Sequence, residues 1–213
     1  MALVLNGSND TITGLQINSA NIVDGSIVNA DINDMAASKL TGALPAISGA
    51  SLTNLPAGGI TMADNWRLTT SFQGSAIPIT SNWERSDTSP YQGNLGTGLT
   101  ESSGIFSFPS TGWYFVITSH YFYGSGNSSY NDMHISLTND DGSNWTSLAN
   151  SSGWADHVGT TYQKQIAHNI IDITNVSNQK IRFTVEMHNS SYTTYGGTSQ
   201  TRTGFDIFKL GDT

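Results

Sequence analysis

The sequence predicts an all-β fold of two packed sheets, and three patterns support this prediction. Segments rich in aromatic and β-branched residues are separated by turn-forming residues, and none of them shows the apolar period of a helix. The segments 133–138 and 180–188 alternate apolar and polar residues, as strands with one solvated face do. The segment 112–122 is apolar on both alternating sets of residues, so both of its faces need cover.

The densest apolar stretch, GIFSFPSTGWYFVITSHYFY at 104–123, predicts two strands joined by a tight turn at 109–111. A two-sheet sandwich covers only one face of each sheet, so the other face of 112–122 needs a further layer or a neighbouring subunit. We favour a neighbouring subunit. The predicted strands of the domain are 65–72, 105–108, 112–122, 133–138, 145–148, 162–173, 180–188 and 203–210.

The N-terminal region has a different character. Isoleucine recurs at every fifth residue from Ile12 to Ile32, a spacing that suits several chains winding round a common axis. An amphipathic loop draped on the main domain is the alternative. The stretch 39–59, KLTGALPAISGASLTNLPAGG, repeats a phrase that ends in proline, which favours extended backbone. We therefore expect an extended stalk or adaptor at 1–60 and a globular domain at 61–213.

Composition excludes several classes of partner. The net charge is −8, and charged residues make up only 11% of the chain, so there is no basic patch for nucleic acid or an anionic membrane. No apolar run is long enough to insert in a membrane, and the first residues lack the pattern of a secretion signal. With no cysteine, stability must come from packing and assembly.

Two phrases carry resemblances to known families. GIFSFPSTGWYFV resembles the signature of the jelly-roll heads of the first complement component and of the tumour necrosis factor cytokines, and TGFDIFKL resembles their last strand. This resemblance, over residues 61–213, implies a jelly roll that forms a homotrimer through one sheet. There is no collagen-like repeat, so complement-type partners do not carry over. The phrases MALVLNGSNDTITGL and KLTGALPAISGASLTNLP resemble the N-terminal regions of bacteriophage tail and head fibres, which implies a virion protein that contacts other virion proteins.

The motifs that could carry catalysis favour a structural role. TNDDGSNW at 138–145 resembles the Asp-box of sialidases, in which the turn joins two strands and the Trp packs beneath it, so a hairpin is expected here. No paired carboxylates or activated nucleophile accompany it, and we predict that the chain is not an enzyme and needs no cofactor. The five histidines lack metal-ligand spacing, although one on a three-fold axis could bind a metal as three copies.

The long polar segments are the best candidates for recognition. We expect 74–102, 124–132, 150–161 and 189–202 to be loops at the end of the sandwich opposite the stalk. Aromatic residues among Ser, Gly and Asn suit sugar stacking, although they could instead pin the loops to the sandwich. Trp154 is the leading candidate because Gly153 would let a ligand approach the backbone. The full set of predicted ligand contacts is Trp154, Asp156, His157, Tyr130, Tyr192 and Tyr195.

Together these inferences predict a homotrimeric virion fibre whose tip binds a host-surface glycan or protein. The alternative is a capsid or tail decoration protein without a receptor, and a polysaccharide-cleaving tip is a weaker third possibility.

Overall fold

Strands account for all the regular secondary structure in the part of the chain that the computed structural model describes, residues 59–86, 93–155 and 159–213. The predicted stalk, and with it the isoleucine repeat, lies outside the described residues. The all-β prediction for the tip domain is confirmed. The strands are β1 Met62–Leu68, β2 Phe72–Gln73, β3 Trp83–Arg85, β4 Thr100–Ser102, β5 Ile105–Ser107, β6 Gly112–Ser125, β7 Ser128–Thr138, β8 Thr146–Ala155, β9 Thr160–Ile173, β10 Lys180–Met187, β11 Thr193–Thr194 and β12 Gly204–Gly211.

These strands form two antiparallel sheets. In sheet A, β6 pairs with β9 on one side and with β12 and β11 on the other. β12 also pairs with β1, and β1 pairs with β3. The short β2 pairs with β11. Sheet B has the order β4-β5-β10-β7-β8. Neighbours in each sheet are seldom consecutive in sequence, because successive strands cross between the two sheets. The result is a jelly roll.

The alternation in β6 decides which residues face the core. Tyr114, Val116 and Phe122 are buried between the sheets, whereas Trp113 and Ile117 on the other set point outwards. Sheet B covers the inner set, and a cluster of aromatic rings fills the space between them. In that cluster the rings of Phe183 on β10 and Phe205 on β12 stack with centroids 4.3 Å apart, and burying each such ring contributes about 1.5 to 3 kcal/mol.

Polar side chains close the side of the sandwich between β9 and β8. Gln163 donates from Nε2 to the carbonyl oxygen of Trp154 at 2.7 Å, and Asn169 donates from Nδ2 to that of Leu148 at 3.1 Å. Gln165 donates in the same way to the carbonyl oxygen of Asn131. The first two amides satisfy backbone acceptors of β8, the outer strand of sheet B among the described residues.

A buried carboxylate fixes the irregular segments beside β1. Asp64 accepts hydrogen bonds from the indole of Trp66 at 3.0 Å, from Nε of Arg85 at 2.8 Å and from the amide of Leu99 at 2.8 Å. Gly98 lies so close that a Cβ there would sit 2.6 Å from the carboxylate. The network therefore holds β3 and the chain before β4 against β1.

The two ends of the sandwich differ. Met62 of β1 pairs with Lys209 of β12, and Trp113 at the start of β6 pairs with Gly211. The chain therefore enters the domain at the end that also holds Gly211 and the turn at 109–111. We call this the near end, and the opposite end, where β6 finishes and β7 begins, the far end.

The predicted far-end loops are largely wrong. In the segments 124–132 and 150–161 most of the described residues belong to strands, because β7 begins at Ser128 and β8 continues to Ala155. Their Ser, Asn and Gly residues are typical of loops, but here they alternate along strands: Asn150 and Ser152 lie on the solvated face, whereas Asn131, Ser151 and Gly153 face inwards. The segment 74–102 is not confined to the far end either, since Leu95 pairs with Ala63 near the chain entry.

The buried His120 predicts a pH-dependent stability. Burial lowers the pKa of His120 from 6.5 to about 3, and the ring contacts the hydroxyl of Thr194 and the amide of Gln165. As pH falls below 6.5 the unfolded histidine binds a proton and the folded one does not, so the free energy of unfolding falls by about 1.4 kcal/mol per pH unit until pH nears the folded pKa. Denaturant unfolding at pH 7 and pH 4.5 measures this.

The matched variants are His120→Gln and His168→Gln, because His168 is exposed on sheet A. We expect the first to lose part of the wild-type decrease in stability between the two pH values and the second to retain it. An identical decrease in both variants would show that His120 does not stay neutral in the folded state.

Candidate functional site

The turn at 138–145 has a structural role, as the sequence predicted. Asp140 accepts hydrogen bonds from the side chain and backbone of Asn144 and from the hydroxyl of Thr138, and these lower the pKa of its carboxyl group to about 2. The indole of Trp145 donates to the carbonyl oxygen of Gly142 at 3.0 Å. The turn joins β7 to β8 as the expected hairpin, so its carboxylate serves the loop itself.

Trp154 and Tyr130 lie together at the far end of sheet B. The β7–β8 register pairs Ser128 with Ala155 and Asn131 with Gly153, so a bulge sets Tyr130 opposite Trp154. Trp154 is 66% exposed and Tyr130 is 40% exposed. Two of the predicted aromatic contacts therefore share one accessible surface, although they stand on strands and not on loops.

The other two predicted tyrosines lie elsewhere. Tyr192 is fully buried, its ring packs directly on Gly124, and its hydroxyl donates to the carbonyl oxygen of Gly126 at 2.6 Å. Burial also raises the pKa of Tyr192. The prediction that it contacts a ligand is wrong, and it packs the segment before β11 onto β6. Tyr195 stands beside sheet A, where the guanidinium of Arg202 lies 4.0 Å from its ring centroid.

The remaining predicted contacts, Asp156 and His157, lie outside the described residues. The role expected for Gly153 needs correction, because this residue faces inwards and away from any ligand on the outer surface. A Cβ there would sit 2.5 Å from Oε1 of Gln165 and 3.1 Å from the ring of Phe122. Glycine leaves room for the amides that close the sandwich edge.

Polar residues that the sequence analysis did not assign to the site surround the two exposed rings. Asp132 pairs with Ser152 on β8 and with Glu186 on β10, and the amide of His188 donates to the carbonyl oxygen of Tyr130 at 3.1 Å. The alternation of 180–188 already put Glu186 and His188 on a solvated face, but only the strand register brings them beside Trp154. We call this group the aromatic patch: Tyr130, Asp132, Ser152, Trp154, Glu186 and His188.

A second surface, on the outside of sheet A, is strongly apolar. Ile166 and Ile170 on β9 are 58% and 55% exposed, and Trp113 on β6 is 44% exposed. Patches of this kind on a soluble protein commonly mark an interface. We call it the apolar face, and its members are Trp113, Phe115, Ile117, Ile166, Ile170, Phe208 and Leu210.

A cavity of about 220 Å³ opens on the apolar face across β9, β6, β12 and β1, and Lys164, Asp206 and Asn65 line it with Ile117 and Ile166. Across the described ranges, no three His, Asp or Glu side chains gather to hold a metal ion. His168 is exposed on this face, so the idea of a histidine on a symmetry axis stays a prediction. No helix in the described part of the chain could cross a membrane.

Comparison with known proteins places the fold and goes no further. No protein-family model matches the sequence, and neither does any curated protein. Among solved structures, Eiger TNF from S. frugiperda matches with a TM-score of 0.55 and 13% identity, over 73% of this chain and 96% of that one. Murine APRIL at pH 5.0 matches with a TM-score of 0.52 and 11% identity, over 70% and 98% of the two chains.

At such identities the likeness shows the fold alone, and the described domain is a TNF-like jelly roll. The predicted fold class is thereby confirmed. The resemblance of the N-terminal phrases to bacteriophage fibres is not tested by these comparisons and stays a prediction, as does the absence of catalytic activity.

The contrast between Trp154 and Tyr192 predicts different effects on stability. We expect Trp154→Ala to change the free energy of unfolding by less than about 0.5 kcal/mol, because most of its ring is in solvent. Tyr192→Ala removes a buried ring and should cost about 3 to 5 kcal/mol. Chemical denaturation of both variants measures this, and a large loss in Trp154→Ala would assign that ring to packing.

Proposed function

We propose that this chain is the subunit of a homotrimeric virion fibre whose jelly-roll tip binds a structure on the host surface. The observation that carries the proposal is the exposed apolar face of sheet A. This face supports assembly, because the outer face of the 112–122 strand needs cover. The resemblance to complement heads and tumour necrosis factor cytokines implies that the assembly is a trimer.

The chemistry of the apolar face favours further copies of this chain as its cover. The face is one side of a twisted sheet and is lined by side chains of β6, β9 and β12. One cationic residue, Lys164, and one anionic residue, Asp206, line its cavity together with Ile117 and Ile166. A lone charge of either sign would be costly to bury there, whereas a closed ring of identical subunits brings both signs to every interface. Obligate interfaces of this kind are large and apolar.

The position of the aromatic patch supports recognition by the tip. The chain enters the domain at the near end, while Tyr130 and Trp154 lie at the far end on the outside of the other sheet. A trimer formed through sheet A therefore leaves three copies of the patch exposed, and weak sites gain strength when they act together.

The virion role rests on the N-terminal phrases. Their resemblance to bacteriophage fibres supports docking of residues 1–60 on other virion proteins, and the location of the protein would then be the virion. A capsid or tail decoration protein would share the docking region and the trimer but would not bind cells.

Assembly gives one test. We expect the wild-type chain to sediment with the mass of three chains at micromolar concentration, and Ile170→Asp to sediment as a single chain, because a carboxylate would enter the apolar interface. The control is Ile77→Asp, since Ile77 is 61% exposed and lies off the apolar face. A wild-type mass of one chain would contradict the proposal.

Docking gives another test. Deleting residues 1–40 should leave a folded tip with the mass of a trimer that no longer enters particles, because the deleted stretch carries the whole isoleucine repeat. Quantitative immunoblotting of purified particles measures incorporation against the full-length chain. Incorporation at the full-length level would refute the docking role of this region.

A further inference from the structure

We infer that the aromatic patch binds uncharged sugars and rejects anionic ones. The inference rests on the proposed function, because it names the ligand of a tip that binds surface structures. It depends on three properties of the patch: the size set by the strand register, the kinds of side chain it presents, and the sign of its charge.

The register arranges the patch as two rows across three strands. The outer row is His188, Tyr130 and Trp154, and the inner row is Glu186, Asp132 and Ser152. Neighbouring strands lie about 5 Å apart, and residues two positions apart along a strand lie about 7 Å apart. The patch therefore spans about 10 Å by 7 Å, which matches one or two hexose rings lying flat on the sheet.

The outer row supplies the apolar contact that sugars need. Trp154 and Tyr130 expose aromatic surface, and the C–H face of a pyranose ring packs on such surface. The ring of His188 lies 5.5 Å from that of Tyr130 and extends the platform. Its Nδ1 accepts a hydrogen bond from the amide of Ser129 at 3.3 Å, so in the neutral ring Nε2 carries the proton and can donate to a hydroxyl.

The inner row supplies hydrogen-bond acceptors. Ser152 donates its hydroxyl to Asp132, which fixes the carboxylate, and the side chain of Glu186 is about half exposed. Carboxylates accept hydrogen bonds from the vicinal hydroxyls of a sugar without requiring a charge on the ligand.

The charge of the patch determines which sugars it accepts. The two rows contain two carboxylates and neither Lys nor Arg. The nearest cation along β10, Arg182, is paired in register with Ser136, well below these rows, and its guanidinium stacks on Trp145 at 4.3 Å. A uronate or a sialic acid would meet like charge at this surface. The imidazoles of His188 and of His134, whose Nε2 lies 3.9 Å from Oε1 of Glu186, offset this charge only when they are protonated.

The same carboxylates do not make the patch hydrolytic. Asp132 and Glu186 are cross-strand neighbours, and retaining glycosidases hold their two carboxylates about 5 Å apart. However, the acid in such a pair is kept protonated by a dry, apolar pocket, whereas Glu186 is open to solvent and Asp132 is held by a hydroxyl donor. The patch therefore binds sugars without cleaving them.

Strands hold the patch in a fixed shape. The side-chain amide of Gln163 donates to the carbonyl oxygen of Trp154. The backbone amide of His188 donates to the carbonyl oxygen of Tyr130. Sites built on strands are held more firmly than sites on loops, so little ordering cost opposes binding.

Affinity electrophoresis of the full-length chain tests the inference, with dextran, galactan or mannan in the gel as neutral polymers and polygalacturonate as the anionic one. We expect at least one neutral polymer, and not polygalacturonate, to retard the wild-type chain. Trp154→Ala should weaken binding to that polymer about tenfold or more, as loss of a central aromatic contact does. The control Leu95→Ala, which shortens a side chain that is 51% exposed and lies beside Ala63 near the chain entry, should bind as the wild type does.

A charge variant tests the selectivity. Glu186→Lys should gain retardation by polygalacturonate, whereas Asp212→Lys, which makes the same charge change at the near end, should not. Equal retardation of the wild type by polygalacturonate, no retardation by any neutral polymer, or unchanged binding by Trp154→Ala would overturn the inference. Release of new reducing ends from the bound polymer would show that the patch cleaves sugars and would overturn the inference that it only binds them.

Failure of the inference and failure of the proposed function give different results. A chain that sediments as a trimer but binds no neutral polymer overturns the inference and leaves the fibre proposal standing. A chain that sediments as a monomer overturns the fibre proposal, even if it binds a polymer through Trp154.

Discussion

The rest of the structure depends on the apolar character of both faces of β6. Its inner side chains, such as Tyr114 and Phe122, close the core against sheet B, and the same strand presents Trp113 and Ile117 outwards. Hydrogen bonds along both of its edges, to β9 on one side and to β12 and β11 on the other, hold it in the middle of sheet A. β6 thus supplies side chains both to the core and to the apolar face. Its outward residues must therefore stay apolar even though they do not enter the core.

The parts of the fold that follow from local pattern could be predicted from sequence. The alternation of 180–188 and the turn chemistry around Asp140 each agree with the structure. The short strands β3 and β4 could not be predicted, because tertiary contacts and not their own residue types fix them: Arg85 of β3 binds the buried Asp64, and β4 pairs with β5. The start of β7 and the second half of β8 were predicted as loops for a different reason. A strand with one solvated face tolerates the Ser, Asn and Gly residues that are typical of loops elsewhere.

The candidate site was only half visible in the sequence. Composition drew attention to Trp154 and Tyr130, but the same reasoning also chose Tyr192, because residue type does not reveal whether an aromatic ring packs on a glycine or faces solvent. The polar partners Asp132 and Glu186 come from distant segments, and only the register of three strands brings them together. Inward amides such as Gln163 were equally hidden, since a polar residue at a core position reads as a break in the pattern.

Because the aromatic patch stands on strands, its evolution is constrained in a particular way. Inserting or deleting a residue in β7 or β8 would shift the register and turn the outward side chains into the core, so changes of length are costly here. Gly153 is equally constrained by the amide of Gln165 beneath it. Homologous domains should therefore differ by exchanging the outward side chains while keeping strand lengths constant, unlike proteins that vary a surface through loops of variable length.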